Sequence, residues 1–427
     1  MITLSILTAI NFLNYIDRYV LASVLEGIAA EFELTDVGSG LLGSMFIIVY
    51  TLASPLAGYL GDRVVRKRIV AAGVLVWSLA TIGSGFVDDY KGLLFMRALV
   101  GIGEAGYATV APSIIGDLFD KRRRGRMLAY FYVAIPVGAA LGYILGGVVA
   151  ENAPSILTSL GFAPDAISGW RLAFLVSGAP GLAFGLGALF MFEAPRGTMD
   201  AGAQTKPPPH AWRRLFQTPG WRWNTVGMTL MTFTIGGLAF WMPAFMQRVH
   251  GFSESAAGTY FGAVTVIGGL VATLVGGRLG DWAFERGQGG YFRVSGIGLL
   301  IGAPLVLLTP LLNDPWVTLG VALLAEFFLF LNTGPLNAAL VGCVPPSLRA
   351  AATAANVLFI HALGDAVSPT LVGSISHFAE PIVGSEIGAL RLAVASTAIP
   401  VLLGGLVLIW AAKKIEKLPG GLDSHPG

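Results

Sequence analysis

Cysteine is nearly missing from this chain. The single Cys343 excludes an internal disulfide and any cysteine-built metal site, and it leaves the redox compartment unreadable. Charge is scarce as well, at 12% of 427 residues, and the formal net charge of +2 gives no reason to expect a nucleic-acid partner. No glycine-rich loop carries the lysine that a phosphate-binding loop uses, so transport driven directly by ATP is not expected. No nucleophile stands in a pattern with a base and an orienting acid, and an enzyme is not expected. A cleavable signal peptide is also missing. The first apolar stretch outruns the length of such a segment and holds Asp17 and Arg18 where small cleavage-site residues would stand. That stretch starts almost at Met1, so a longer natural N-terminal tail is expected to precede it.

What is present in abundance is oil. The chain is 55% hydrophobic, with a mean hydropathy of +0.72, which places it among all-α polytopic membrane proteins. A span needs about 20 apolar residues, and that ruler finds twelve. Their cores are 4–29, 38–60, 69–87, 92–117, 126–150, 171–192, 222–247, 256–279, 291–312, 316–341, 350–377 and 389–412. A polar interruption near the middle divides them six plus six. The expected organisation is an N-terminal bundle over 1–195, a linker over 196–220 containing Lys206 to Pro209, a C-terminal bundle over 221–415 and a tail over 416–427. Most of the 27 Lys and Arg fall on one side of this arrangement, in clusters such as Arg63 to Arg68, Lys121 to Arg126 and Lys413 to Lys417. The positive-inside rule then makes both termini cytoplasmic, and the basic loops read as topology signals rather than as headgroup or nucleic-acid sites. Short loops and tails suit a bacterial cytoplasmic membrane.

Two arginines, Arg18 and Arg97, are left inside the spans. Arg18 belongs to the polar stretch Asn11-Phe-Leu-Asn14-Tyr15-Ile-Asp17-Arg18, whose Asn11, Asn14, Asp17 and Arg18 share roughly a third of a helix circumference at about 100° per residue. A charge at the bilayer centre costs roughly 2.5–3.5 kcal/mol on insertion scales, so this face must look into protein or a cavity. Arg97 and Glu104 lie seven apart in the fourth span, on one face and about 10 Å apart along the axis, a spacing that suits bridging to another helix. Either Asp17 and Glu104 compete for Arg18 and Arg97, so that protonating one carboxylate frees an arginine, or the four form a permanent buried ion network; the first is expected. His361 and Asp365 stand at i and i+4 in the eleventh span. They form either a second proton or headgroup site or a self-contained pair, and are too few for a metal centre. Glu326 in the tenth span is expected to face a pore, on cost alone. In the fifth span Gly138, Gly142, Gly146 and Gly147 read as a packing strip rather than a phosphate loop.

The chain also repeats itself. Gly58-Tyr-Leu-Gly61-Asp62-Arg63 follows the second span and Gly277-Arg278-Leu-Gly280-Asp281-Trp282 follows the eighth, half a chain apart. Two halves in the same orientation, each with this turn, is the parallel-repeat plan of the major facilitator superfamily, which the chain resembles over essentially its whole length. That resemblance implies a gate latch carried by Gly58, Asp62 and Arg63, with a weaker copy at Asp281, where Trp282 replaces the basic residue. Within the superfamily the closer resemblance is to the Spinster family. It rests on Asn14-Tyr15-Ile-Asp17-Arg18, on Gly101-Ile-Gly103-Glu104-Ala-Gly-Tyr107, on Phe131 to Tyr143, and on His361-Ala-Leu-Gly364-Asp365-Ala-Val-Ser368-Pro369. It implies proton-linked transport of lysophospholipids or sphingosine-phosphate-like lipids by alternating access, with Asn14, Asp17, Arg18, Arg97, Glu104 and Tyr107 in the coupling and substrate site.

The expectation is thus a monomeric secondary transporter of an amphiphilic lipid. It needs no cofactor and is energised by a proton gradient. A symporter of a small sugar-acid-like anion resembles the first motif too and would line its cavity with more polar groups. A lipid-sensing protein on the same fold would bind without net flux. Phe233, Phe240, Met242, Phe245, Phe327, Phe328 and Phe330 suit an apolar cavity wall and ordinary packing equally.

Overall fold

The computed structural model describes residues 1–196, 211–287 and 289–417. Helices make up the fold, and the described residues contain no strand. Among the described residues eleven helices are long and apolar enough to cross a membrane. They are preceded by α1 (Ile2–Ser23), 22 residues long, whose polar face lowers its mean hydropathy below that of the others. The rest are α2 (Asp36–Gly61), α3 (Arg66–Ser84), α4 (Tyr90–Leu118), α5 (Arg126–Glu151), α6 (Gly169–Ala188), α7 (Pro219–His250), α8 (Glu254–Phe284), α9 (Gly290–Leu311), α10 (Pro315–Gly342), α11 (Ala351–Val383) and α12 (Glu386–Ile415). Most of the expected linker and tail, residues 197–210 and 418–427, lies outside the described residues. Ala211–Gln217 forms a short helix.

Local chemistry starts several of these helices. Thr35 caps α2, Asp89 caps α4 through the Gly92 amide, Asp314 caps α10 and Ser385 caps α12. Each side-chain oxygen accepts from an amide that the helix cannot satisfy itself. Outward faces are apolar: Leu52, Phe95, Leu274, Ile382 and Ile399 are all more than half exposed, a surface suited to lipid rather than water.

The structure divides into two compact units. One comprises Met1–Gln204 with Phe240–Val266, the other Thr205–Ala239 with Ile267–Gly427. In the first, Leu7, Ile10, Val74, Trp77, Tyr107 and Ile114 belong to one apolar core. The four glycines of α5 do pack helices closely. Gly138, Gly142 and Gly146 face the α1 backbone at Phe12, Ile16 and Val20, and Gly147 faces the Glu254 carbonyl of α8. Phe240, Met242 and Phe245 are buried here as packing residues, the Phe240 ring lying against Gly43. In the second unit α9 packs on α10 and α12, and the Thr234 hydroxyl of α7 donates to the Thr397 carbonyl of α12 at 2.7 Å.

Candidate functional site

The polar face of α1 turns inward. Asn11, Asn14 and Asp17 are buried, and Arg18 keeps 17% of its side chain exposed. Consecutive residues on a helix point about 100° apart, so Asp17 and Arg18 meet different neighbours. The Arg18 Nε donates to Glu104 Oε2 of α4 at 2.6 Å. Asp17 faces α3 and α6 instead. The Thr81 hydroxyl donates to its Oδ2 at 3.4 Å, Ser177 lies within reach, and Oδ1 has no hydrogen-bond partner.

Glu104 reaches Arg18 because two glycines let α4 settle deep in the bundle. A Cβ on Gly101 would stand 2.5 Å from the Phe46 carbonyl of α2, and one on Gly103 would stand 2.6 Å from the Gly73 carbonyl of α3. Only a residue without a side chain permits both approaches. Glu104 is fully buried and its second oxygen is unpartnered; the Asn14 amide lies beside it, short of hydrogen-bond geometry.

Arg18 sits in an aromatic cage. Its guanidinium lies 5.0 Å from the Tyr15 ring, 4.9 Å from Phe46 and 5.0 Å from Tyr50. Phe46 also faces Arg97, whose guanidinium is 5.2 Å from the same ring. A ring face attracts a cation by its quadrupole, so Phe46 holds two guanidiniums that would otherwise repel. Arg97 is 2% exposed, and neither its Nε nor its Nη1 has a hydrogen-bond acceptor. It feels the charges of Glu104 and Asp17 without bonding to either. The site therefore gathers two carboxylates and two guanidiniums in one buried cluster, with one ion pair formed and the Arg97 guanidinium bonded to neither carboxylate.

Tyr107, expected in the same site, donates its hydroxyl to the Leu7 carbonyl at 2.6 Å and packs edge-on against Trp77, which makes it a strut between α1 and α4. In the second unit His361 Nδ1 lies 3.0 Å from both oxygens of Asp365, within a π-helical turn of α11 (His361–Asp365). Such turns recur where a helix serves a site, and this one lies four residues ahead of Pro369. Glu326 is 3% exposed, with its Cβ against Gly268 of α8 and its Oε2 unpartnered. His361, Asp365 and Glu326 belong to a different unit from the charge cluster. Among the described residues no three metal-ligating side chains converge.

At the turn after α2 the structure singles out an arginine that the motif reading left among the topology signals. Arg66 is buried, donating to Asp117 at 2.5 Å, to Glu193 at 2.9 Å and to the Ala194 carbonyl at 3.0 Å. Glu193 also accepts from the Arg66 and Lys67 amides, the first N–H groups of α3. Partial burial pushes the Glu193 carboxyl up, but these donors outweigh it and hold the pKa below the ordinary 4.5. Asp62 is exposed, and Arg63 stacks on Tyr59 at 3.5 Å. Gly58 has nothing within 4 Å of where a Cβ would stand. In the second copy of the motif Asp281 is exposed and accepts from the Tyr291 hydroxyl at 3.1 Å, while Arg286 stacks on Trp282 at 3.9 Å. Sequence spacing could not show Arg66, because its partners lie 51 and 127 residues away.

Residues 7–369 match the model of the Major Facilitator Superfamily. Among curated proteins, protein spinster homolog 3 of Danio rerio is 36% identical over 397 residues, covering 88% of this chain and 76% of that protein. Among solved structures, a bacterial homolog of the human lysosomal transporter Spinster, in an inward-facing and unoccupied conformation, superposes with a TM-score of 0.87 at 24% identity, with 96% of each chain covered. A D-xylose–proton symporter superposes at 0.76 and 17% identity, over 95% of this chain and 96% of that one. At these identities both structural likenesses speak for the fold.

Proposed function

Since the chain belongs to the major facilitator superfamily and, within it, to the Spinster family, multi-pass membrane transporters rather than enzymes, we propose that it is a proton-coupled secondary transporter of an amphiphilic lipid of the lysophospholipid or sphingosine-phosphate type. One observation carries the reading: a buried set of two carboxylates and two arginines in which Arg97 has no acceptor on two of its nitrogens.

With both carboxylates ionised the set is neutral. Protonating Asp17 or Glu104 leaves a net positive charge beside a guanidinium with unused donors, so proton uptake and anion binding favour one another. A phosphate suits the planar N–H fork of Arg97. The cage of Tyr15, Phe46 and Tyr50 offers an apolar flank to the carbons next to it. Asp17 takes the proton in this scheme, held by Thr81 and Ser177 hydroxyls that serve either protonation state. Glu104 and Arg18 trade partners as the charge changes. His361 with Asp365, and Glu326, are assigned to a second polar site in the other unit, and the Gly58–Asp62–Arg63 turn and Asp281 to gating. The protein works as a monomer of two six-helix halves, 1–195 and 221–415, in a bacterial cytoplasmic membrane with both termini inside, as the loop charges support.

The test is flux of a fluorescent lysophospholipid into proteoliposomes with and without an imposed pH gradient, for the parent and Asp17→Asn. Gradient-driven flux that the variant loses supports the proposal. Gradient-driven uptake of a sugar acid with no lipid flux would overturn the substrate class, and saturable lipid binding without flux in the parent would overturn transport.

A further inference from the structure

Two helices are shared between the compact units. The segment Phe240–Val266, which holds the far end of α7 and the beginning of α8, belongs with the first unit, while the remainder of both helices belongs to the second. Chain order alone would keep both helices whole in the second half. Something holds this corner to the first unit, and the contacts that do so can be named.

Arg248, near the end of α7, donates through Nε to Glu26 Oε2 at 2.7 Å and through Nη1 to Asp36 Oδ1 at 2.6 Å. The two acids come from different elements, the short helix Leu25–Glu31 and the first turn of α2. Next to it the Gln247 amide donates to the Ser23 carbonyl at 3.1 Å. On the other side of the corner Glu151, the last residue of α5, accepts from the Ser255 amide at 2.9 Å, placing a carboxylate on the N-terminus of α8. There the backbones come close: a Cβ on Gly147 would collide with the Glu254 carbonyl.

We infer that Arg248 is the latch of a gate on the face opposite the basic loops, closed in this structure and opened when the ends of α7 and α8 leave the first unit. The inference rests on the transport reading above, which requires access from both faces in turn. Three features suit a latch rather than a permanent strut. The polar contacts named above are non-covalent and lie at or near helix ends. Glu26, at 24% side-chain exposure, and Arg248, at 13%, are within reach of water that can take over their hydrogen bonds when the pairs part. And a single guanidinium spans two acids on separate elements, so one side chain leaving undoes both links. Glu151, acting on α8 alone, is the second and weaker tie.

The test uses the full chain in lipid nanodiscs on a Cys343→Ser background, with spin labels on Ser159→Cys and Ser253→Cys, both exposed in this structure. Double electron–electron resonance on the latch-intact protein should give one short distance population. Arg248→Gln should add a longer population, and Glu26→Gln with Asp36→Asn should add the same one from the acid side. Arg248→Lys, which keeps one ion pair, should fall between. If Arg248→Gln does not yield monodisperse protein, the acid-side variant carries the test alone. A single unchanged population in either folded variant would overturn the latch. The readout needs no substrate, so loss of the lipid reading in the flux assay leaves it standing, and its own failure leaves the flux result untouched.

Discussion

Arg18 and Arg97 share the Phe46 ring, one guanidinium 4.9 Å and the other 5.2 Å from its centroid, yet only Arg18 reaches a carboxylate. The asymmetry is set by the backbone. Arg97 lies on the same helix as Glu104, two turns away, whereas Arg18 approaches from α1. The pair that forms is the one between helices, and a rearrangement of α1 against α4 would alter it directly.

Glu104→Gln tests whether that pair takes part in coupling. The amide keeps the volume and one acceptor but not the charge, and a charge-assisted hydrogen bond is worth about 1.5–3 kcal/mol. Proton-driven lysolipid uptake should fall at least tenfold in proteoliposomes while unstimulated exchange persists. Unchanged gradient-driven uptake would mean that the ion pair is structural.

Arg97→Met separates binding from folding. A guanidinium buried with no acceptor on Nε or Nη1 carries a desolvation cost that no ion pair offsets, and an apolar residue of similar length removes that cost. The thermal midpoint should stay at or above that of the parent, while lysophospholipid affinity drops about 10- to 100-fold, the equivalent of one charge-assisted bond. A variant that unfolds readily would show that Arg97 is needed to hold the bundle together.

Glu193 provides a pH signature at the basic turn. Its pKa is lowered in the folded protein, so the stability it contributes is present above the ordinary 4.5 and is lost as pH falls through the lowered value. The parent should be more stable than Glu193→Gln near neutrality, and the two unfolding midpoints should converge below about pH 4. A constant gap across that range would show that the carboxylate charge is irrelevant.

Gly103→Ala and Gly58→Ala should behave oppositely in thermal unfolding. The first presses a Cβ to 2.6 Å from the Gly73 carbonyl and should cost about 1–3 kcal/mol as α3 and α4 are forced apart. The second meets nothing within 4 Å in a helix interior and should be neutral or stabilising by up to about 1 kcal/mol. If Gly58→Ala keeps its stability and loses transport, the glycine serves a conformation other than this one.

Tyr107→Phe distinguishes a strut from a ligand. Losing the bond to the Leu7 carbonyl should lower stability by about 1 kcal/mol and leave lipid affinity within twofold. A large fall in affinity with unchanged stability would return Tyr107 to the substrate site.

The helices themselves were legible in the chain, because hydrocarbon imposes one rule on every span: about 20 apolar residues with all backbone groups satisfied internally. The inward turn of Asn11, Asn14, Asp17 and Arg18 was legible for the same reason, since a polar face has nowhere else to go. So was the packing strip in α5, where glycine spacing admits only close approach. Partnership was not legible. Which carboxylate takes Arg18, that Asp17 rests on Thr81, that Arg66 rather than Arg63 is buried in an ion network, and that Arg248 clamps Glu26 and Asp36 all depend on side chains 51 to 222 residues apart in sequence. Helical periodicity reports which side of a helix is polar, and nothing in a period says which neighbour that side will meet. The sequence by itself determined the spans, their polar faces and the family; the tertiary structure decided which charges are paired and which one is left available, because pairing is a matter of distance in space.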